Sequence, residues 1–256
     1  MCTINKKKVN WTIGSTFMNK IKKSLKYDTD EIAGVLLFKD TVCKAGTCNK
    51  KSTKFLIKRG NGSSVYTPNG IINFHTHPNS CYESENAVYG WPSGEDISQV
   101  MRFAKKGNMI HIVFSKEGAY VIKVNKILNT TDTRILERIF KMTHVYRSRN
   151  QAKQKTDFRK KFLISGTRTV DMWLKLINGL TPYKLHKLNN LFRNKKRERY
   201  SVLSSKLSRG KRRLNQTFRD TKLFEVKLIP MGKTLTFAAN FIEEGCHAKS
   251  FGESQQ

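Results

Sequence analysis

The sequence predicts an α/β fold, with strands and helices alternating along the first half of the chain. Two patterns carry this prediction: amphipathic spacing that suits helices, and short apolar runs that suit strands. Phe17, Ile21 and Leu25 recur at every fourth position within residues 14–27, with lysines between them, and predict a helix. Residues 31–38 form a nearly continuous apolar run headed by a glutamate, which indicates a buried strand.

The remaining elements of the first half follow in chain order. Further strands are predicted where short apolar runs lie between turn residues, at 54–58, 71–75, 109–114 and 119–124. The last two runs flank Ser-Lys-Glu-Gly, so they predict a hairpin. A helix is expected to begin at Ser93 and to end at Gly107-Asn108, because glycine and asparagine commonly follow the last helical turn.

The second half of the chain is predicted to be mainly helical and basic. Residues 131–147 have helical spacing, whereas residues 147–161 are polar and strongly basic, which indicates a linker or an exposed arm. Thr181 followed by Pro182 is a favourable helix start. A C-terminal β-hairpin is predicted from two apolar segments separated by Pro-Met-Gly-Lys, namely 223–229 and 234–242.

Composition divides the chain into three predicted parts, residues 1–140, 141–222 and 223–256. The middle part holds 24 Lys and Arg against four acids, a net charge of +20, while the whole chain carries +30. Such a dense positive field attracts polyanions and releases their counterions. Nucleic acid is therefore its predicted partner; a solvated, solubilising face and attraction to anionic lipid are the alternatives. The residues expected to contact nucleic acid are Arg193, Lys195, Lys196, Arg197, Lys211, Arg212 and Arg213.

Cysteine usage indicates an intracellular protein. Five cysteines form an odd number without a disulfide framework, which is typical of a reducing compartment such as the cytoplasm or nucleus. The sequence has no apolar run long enough to cross a membrane, and its basic N-terminus lacks the apolar stretch of a signal peptide. We therefore expect no membrane partner. The lysine- and asparagine-rich composition suits a large DNA virus, so a virus-infected cell is among the expected locations.

The residues that carry chemistry lie in two short segments, His75-Thr76-His77-Pro78 and Ser93-Gly94-Glu95-Asp96. Residues i and i+2 of a strand point to the same face, so His75 and His77 can present two imidazoles side by side. Asp96 lies in the first turn of the helix that begins at Ser93. Because Ser-x-x-Asp also has the spacing of a capping box, a plain helix cap is the alternative interpretation.

Two imidazoles and one carboxylate form a ligand set that leaves a tetrahedral zinc ion one open position. Zinc in such a site lowers the pKa of a bound water to about 7 and polarises a carbonyl group. A hydrolytic reaction also needs a general base. Glu31 is the candidate, because a carboxylate at the head of an apolar strand is unusual; a structural or solvated glutamate is the alternative.

Together and in this order, these segments resemble the JAMM (MPN-plus, JAB-domain) zinc metalloprotease family. The family pattern is a glutamate on an early strand, then His-x-His-Pro, then Ser-x-x-Asp, and residues 10–125 contain all three parts. The resemblance implies a cytidine-deaminase-like MPN fold, with a curved mixed β-sheet flanked by helices, in a catalytic domain at 1–140. It also implies hydrolysis of an amide bond, most often the isopeptide bond that joins ubiquitin or a ubiquitin-like modifier to lysine.

The same resemblance implies a role for each site residue. His75, His77 and Asp96 would bind Zn²⁺. Glu31 would hold the reacting water, act as general base and pass the proton to the leaving amine. Ser93 would donate a hydrogen bond to the developing oxyanion. The partners expected on this basis are conjugates of ubiquitin or of a ubiquitin-like modifier.

One departure from the family pattern lies between the two segments. Fifteen residues, 78–92, separate His77 from Ser93, a longer stretch than is usual in the family. This insertion could form a lid, contact the substrate or be a surface loop without a task. If it contacts the substrate, the residues expected to do so are Tyr82, Tyr89 and Trp91. Bacterial RadC-type proteins share His-x-His-Pro and Pro-Ser-x-x-Asp, so the pattern does not by itself specify deubiquitination.

Other interpretations follow from the remaining residues. His111 alternates with apolar residues on a predicted strand and is interpreted as a buried structural histidine. Glu83 after the two histidines would suit a cupin, but the helix from Ser93 argues against that all-β fold. Two other functions stay open. One is a nucleic-acid-associated protein that uses its basic region in replication, repair or packaging, and the other is a scaffold of the kind formed by metal-free relatives.

Overall fold

A computed structural model describes residues 4–39, 43–44, 47–61, 64–80, 89–144, 169–197, 221–231 and 235–244. Nine strands in this part of the chain are β1 (Ile4–Ile13), β2 (Ile32–Lys39), β3 (Cys43–Lys44), β4 (Thr47–Arg59), β5 (Ile72–Thr76), β6 (Ile110–Ser115), β7 (Gly118–Val124), β8 (Phe224–Ile229) and β9 (Leu235–Glu244). The α-helices in the same ranges are α1 (Ser15–Tyr27), α2 (Gly94–Lys105), α3 (Thr130–His144), α4 (Val170–Asn178) and α5 (Pro182–Arg197).

The strands form one mixed sheet. They lie in the order β8-β7-β6-β5-β2-β4-β1-β9, and β3 adds a short pair to β4. The pair β5 and β6 is parallel, as is the pair β1 and β4, whereas the other neighbours are antiparallel. Helices pack on both faces of this sheet. The predicted α/β class, with a mixed sheet flanked by helices, is therefore confirmed.

Helix α1 covers one face of the sheet. Its predicted apolar positions, Phe17, Ile21 and Leu25, are all buried. The Phe17 ring lies 5.0 Å from the ring of Phe74 on β5 and 5.9 Å from that of Phe114 on β6. Burying a side chain of this size contributes about 1.5–3 kcal/mol. Because the even-numbered residues of β5 point into this core, its odd-numbered residues point to the opposite face.

The opposite face carries the other helices. Trp173 of α4 is fully buried there, with its ring 5.6 Å from that of Tyr120 on β7 and 6.0 Å from that of Phe140 on α3. Helix α2 begins against α3, since a Cβ added at Gly94 would meet the Glu137 carbonyl oxygen at 2.5 Å. A side chain there would push the two helices apart. The first turn of α2 is thus held close to α3.

Most predicted elements of the first half lie where the sequence places them. Helix α1, strands β2 and β5, the hairpin of β6 and β7, and helix α2 all match. The C-terminal turn of α2 passes through Gly107, whose φ of 87° is readily adopted by glycine. The helix predicted at 131–147 is α3, and Thr181 precedes α5 as expected. The basic segment 147–161 lies outside the described residues.

The predicted C-terminal hairpin is wrong. Strand β8 pairs with β7, and β9 pairs with β1, so the two strands occupy opposite edges of the sheet. The sequence analysis does not predict β1, because the alternation of Val9, Trp11 and Ile13, whose side chains are buried, is short and follows three consecutive lysines. Because no strand is predicted at the N-terminus, the sequence patterns indicate only β8, the nearest strand in sequence, as a partner for β9.

The three predicted parts of the chain contribute to shared structure. Leu136, Leu185 and Phe224 belong to one hydrophobic cluster, although they come from residues 1–140, 141–222 and 223–256 respectively. The three parts therefore differ in composition but share a hydrophobic cluster, and the division of the chain into three parts stays a prediction. Among the helices that the structure describes, none has both the length and the apolar character of a membrane-spanning segment.

Replacing Gly34 by alanine tests the close packing of β2 against its neighbours. A Cβ at this position would collide with the Leu56 carbonyl oxygen and meet the Phe74 ring at 2.8 Å. We expect Gly34→Ala to lower the free energy of unfolding by about 1–3 kcal/mol, measured by urea denaturation. The matched variant Gly107→Ala meets no atom within 4 Å and should cost about 1 kcal/mol through its positive φ alone. Equal stability of Gly34→Ala and the parent chain would contradict this packing.

Candidate metal centre

The two histidines of the His-x-His segment lie side by side at the end of β5. Strand β5 is in the middle of the sheet, antiparallel to β2 and parallel to β6. His77 follows the last residue of the strand, and its backbone N–H donates to the Phe114 carbonyl oxygen at 2.7 Å, which continues the ladder with β6. Each histidine side chain is about 5% exposed. The sheet therefore aims both imidazoles at the same buried point.

Asp96 approaches this point from the first turn of α2. Ser93 is the N-cap: its Oγ accepts from the Asp96 backbone N–H at 3.1 Å, and the Asp96 Oδ2 accepts from the Ser93 backbone N–H at 2.6 Å. The capping interpretation of Ser-x-x-Asp is therefore confirmed, and it is compatible with a ligand role for Asp96, which stays a prediction. The capping box fixes the carboxylate, with Oδ1 3.3 Å from His75 Nε2 and Oδ2 3.5 Å from His77 Nε2.

His75, His77 and Asp96 form a group that could hold a metal ion. One ligand atom from each residue lies within 4.8 Å of the others, and the two Nε2 atoms are 3.0 Å apart. Two nitrogen lone pairs at this separation repel, so a proton or a cation must lie between them. Two imidazole nitrogens and a carboxylate oxygen suit borderline-soft divalent cations such as zinc. The chemistry of the donor set therefore fits a metal ion.

A hydrogen bond outside the group orients His77. Its Nδ1 lies 2.9 Å from the Gly90 carbonyl oxygen, which can only accept, so Nδ1 carries the hydrogen and Nε2 presents its lone pair. The Gly90 N–H in turn donates to the Glu117 carboxylate at 3.1 Å. Ser115 Oγ donates to the same carboxylate at 2.7 Å. The end of the 78–92 insertion thus supports a predicted ligand.

His75 has an imidazole as its outer partner. Its Nδ1 lies 2.9 Å from Nε2 of His111, which is 1% exposed. Burial, together with the neighbouring His75, holds the pKa of His111 well below its ordinary value, so that this ring is neutral. Sequence analysis identifies His111 as a buried structural histidine and misses this contact. The parallel pairing of β5 and β6 creates it, and the spacing along the sequence carries no sign of that pairing.

The ionisation of Asp96 reflects the same cluster. In the metal-free cluster burial opposes the charged carboxylate, but the electrostatic interaction with His75 and hydrogen bonds with His75 and His77 outweigh it, so the pKa of Asp96 lies well below its ordinary value. The carboxylate is therefore ionised at neutral pH. An anion in this position attracts a cation to the point where the three side chains meet.

Glu31 lies beside this cluster at the head of β2. Its side chain is 11% exposed, and Oε1 lies 3.8 Å from His77 Nε2. The backbone around it is fixed, because the Ile32 N–H donates to Thr76 Oγ1 at 3.0 Å and the Gly60 N–H donates to the Glu31 carbonyl oxygen at 2.8 Å. The sheet thus brings the glutamate next to residues 44 or more positions away in sequence.

The five predicted residues line one cleft. Glu31, His75, His77, Ser93 and Asp96 all contribute to its walls, and its volume is about 840 Å³. Residues 64–67 also line the cleft, as do four basic residues: Arg102, Lys105 and Lys106 at the end of α2, and Lys141 of α3. The cleft is large enough for an extended peptide segment and is partly open to solvent.

The predicted substrate-contacting residues have different positions. Trp91 is fully buried, its ring 6.4 Å from that of Trp173, so it packs in the core and has no surface for a substrate. Tyr89 is half-buried and stacks on Trp91 with 4.9 Å between ring centroids. Tyr82 lies outside the described residues. The prediction for Trp91 is wrong because its flanking Gly and Pro suggest an exposed loop.

The predicted nucleic-acid residues remain untested. The backbone of α5 includes Arg193, Lys195, Lys196 and Arg197, but the described side chains of this helix end before them. Lys211, Arg212 and Arg213 lie outside the described residues.

Comparison with known proteins finds a similarity to a viral protein. A stretch of 66 residues is 35% identical to Uncharacterized protein 3R of Frog virus 3 (isolate Goorha). The match covers 26% of this chain and 14% of the viral protein's length. No family model matches this chain. No solved structure matches it either.

Replacing Asp96 by asparagine separates the capping role from the ligand role. The amide oxygen of asparagine can still accept from the Ser93 N–H, so the unfolding free energy of the metal-free protein should change by less than about 1 kcal/mol. The lost ligand charge should lower zinc affinity by more than the roughly 100-fold typical of an outer partner, measured by competition with a chelating dye.

The matched control is Ser93→Ala. It removes the cap acceptor, so we expect a loss of about 1 kcal/mol in unfolding free energy while zinc affinity stays within a few-fold of the parent chain. If Asp96→Asn bound zinc as tightly as the parent, these three side chains would not be the ligands.

Proposed function

We propose that this protein is a zinc-dependent amide hydrolase of the JAMM (MPN-plus) type. The observation that carries the proposal is the meeting of His75, His77 and Asp96 at one buried point, with the Glu31 carboxylate beside them. A mixed sheet with helices on both faces supports the curved-sheet MPN fold proposed with it. The ligand set favours zinc over magnesium or calcium, which prefer sites made of oxygen atoms alone.

A zinc ion held by these ligands supplies Lewis acidity toward the substrate carbonyl and the reacting water. The protein side chains supply the proton transfers. Glu31 takes a proton from water as the water oxygen adds to the carbonyl carbon. The C–N bond then breaks, and Glu31 returns that proton to the departing nitrogen. The products are a carboxylic acid group and a free amine.

Ser93 is placed to assist the same reaction. Its Oγ accepts from the Asp96 N–H, so the hydroxyl hydrogen remains available to donate toward the cleft. A donor fixed by a helix cap does not need to reorganise when charge develops on the substrate oxygen. We assign Ser93 to stabilise that oxygen.

The proposed substrate is a conjugate of ubiquitin or of a ubiquitin-like modifier, and the bond cleaved is its isopeptide bond. This choice rests on the family resemblance, and an open cleft of about 840 Å³ suits a flexible peptide tail. Similarity to a viral protein supports a virus-infected cell as the proposed setting.

Replacing Glu31 by glutamine tests the proposed reaction. We expect the zinc-loaded parent chain to cleave at least one member of a panel of di-ubiquitin linkages and modifier conjugates, with loss of activity on adding a chelator. Glu31→Gln should lower kcat by about 10²–10⁴-fold, the usual contribution of a general base, while zinc content stays unchanged. Gel-based cleavage assays and elemental analysis provide the two measurements.

Glu95→Gln is the matched control, because Glu95 is an exposed glutamate in the same cleft and should tolerate the change. A zinc-loaded parent chain that leaves the whole panel intact would remove the isopeptidase proposal.

A second candidate function is nucleic-acid binding by the basic middle region. Residues 141–222 carry a net charge of +20, and a polyanion would neutralise that charge with release of counterions. This function is compatible with the first, since a basic region could bring a hydrolase to conjugates bound on DNA. Parts of the region belong to the shared core, so charge substitution tests it better than truncation.

Replacing Lys211, Arg212 and Arg213 together by glutamine should weaken binding to duplex DNA. We expect the slope of log affinity against log salt to fall by about one for each phosphate that the variant no longer neutralises, measured by fluorescence anisotropy. A charge-matched control replaces Lys22, Lys23 and Lys26 of α1, which are exposed and lie outside the basic region. Equal slopes for the two triple variants would contradict a nucleic-acid surface at 211–213.

A further inference from the structure

A chain of buried polar side chains leads away from the candidate metal centre through His75. His75 and Asn73 point to the same side of β5, and His111 pairs with Asn73 across the parallel strand β6. His75 Nδ1 lies 2.9 Å from His111 Nε2, and His111 Nδ1 lies 2.8 Å from Asn73 Oδ1. Asn108, which follows α2, donates its Nδ2 to the same Asn73 oxygen at 3.0 Å.

The orientation of the Asn73 side chain is fixed by its other contacts. Its Nδ2 donates to the Pro68 carbonyl oxygen at 3.0 Å, and its Oδ1 accepts from Asn108. Asn108 Nδ2 itself is held by the Gly70 carbonyl oxygen at 2.6 Å. If the Asn73 amide were reversed, its oxygen would face the Pro68 carbonyl oxygen and its NH₂ group would face the NH₂ group of Asn108. Both contacts would be repulsive, so only the observed orientation is stable.

This fixed amide determines the hydrogen positions on both imidazoles. Because Asn73 Oδ1 can only accept, His111 must carry its hydrogen on Nδ1. In the tautomer that carries its hydrogen on Nδ1, His111 presents a lone pair on Nε2. His75 must donate to that lone pair from Nδ1, which leaves His75 Nε2 as the acceptor that faces Asp96 and His77.

We propose that His111 is a positioning residue for the metal centre: backed by Asn73, it holds His75 in the tautomer and ring orientation that bind metal through Nε2. Partners of this kind fix the tautomer and raise the basicity of a ligating histidine. The inference rests on the metal ligands proposed above, and it does not depend on which substrate is cleaved.

The two proposed histidine ligands are held by different means. His77 donates to a backbone carbonyl, that of Gly90, which no side-chain substitution removes. His75 depends on the His111 side chain, so its orientation is open to mutational test. An apolar residue at 111 would fill similar space but offer no acceptor, and His75 would then be free to place its hydrogen on Nε2, where it blocks metal binding.

The test compares His111→Leu with His111→Gln in the full-length chain, using Zn²⁺ as the probe. Leucine removes the acceptor, whereas the glutamine side chain can place an amide oxygen near the position of the imidazole Nε2. We expect His111→Leu to weaken zinc affinity by about 10–100-fold and His111→Gln to retain affinity within a few-fold of the parent chain. Competition with a chelating dye measures affinity, and thermal melting of the metal-free proteins reports folding.

Asn73→Leu tests the outer link and leaves all three imidazoles in place. It should weaken zinc binding less than His111→Leu, and the double variant should bind as His111→Leu does, because both changes act through one chain. If His111→Leu does not fold, a loss of zinc affinity in Asn73→Leu alone supports the proposal, and unchanged affinity overturns it.

In the zinc-loaded parent, long-range ¹H–¹⁵N correlation should show the hydrogens of His75 and His111 on Nδ1.

Other outcomes have distinct meanings. Unchanged zinc affinity in His111→Leu, or equal losses in the leucine and glutamine variants, would overturn the positioning role. A parent chain without zinc by elemental analysis would overturn both this inference and the proposed metal centre. A parent chain that binds zinc but cleaves no conjugate would remove only the proposed activity.

Discussion

One electrostatic requirement organises the centre of this molecule: atoms that accept hydrogen bonds meet where water is scarce. Two imidazole Nε2 atoms lie 3.0 Å apart, and both carboxylate oxygens of Asp96 lie within 3.5 Å of them. Such a cluster is stable only with positive charge inside it, whether a proton or a cation. The surrounding groups all keep these atoms aimed inward. A carbonyl orients His77, an imidazole orients His75, and the Ser93 backbone N–H holds Asp96.

Sequence reasoning locates the residues of this centre because their spacing reflects local geometry. Alternation along β5 places His75 and His77 on one face, and a helix cap three residues before Asp96 fixes its carboxylate. Contacts that depend on which strands pair cannot be predicted from local sequence patterns. His111 meets His75 only because β5 and β6 run parallel, and no pattern within either strand specifies that register.

The same distinction explains the fold. Elements with clear periodicity, such as α1 and α2, have nearly the bounds that the sequence predicts. Strand β1 escapes prediction because three consecutive lysines, residues 6–8, precede the short alternation of Val9, Trp11 and Ile13 and leave it weak as a signal of a buried strand. Its omission gives β9 the wrong partner, and the buried Trp91 is mistaken for a surface residue because a loop-like sequence surrounds it. In each case the error lies in long-range packing, where propensity is a weak guide.

The pairing of β1 with β9 at one edge of the sheet has a consequence for how the chain folds. Ile4 pairs with Glu244, so this edge cannot form until residues 235–244 have emerged from the ribosome. Strands β5, β6 and β7, by contrast, are close in sequence and pair with one another early at a small loop-closure cost. A nascent chain can therefore bring His75 and His77 together before β9 is available to pair with β1. Until then β1 has an unpaired edge, and such an edge is prone to association with other chains.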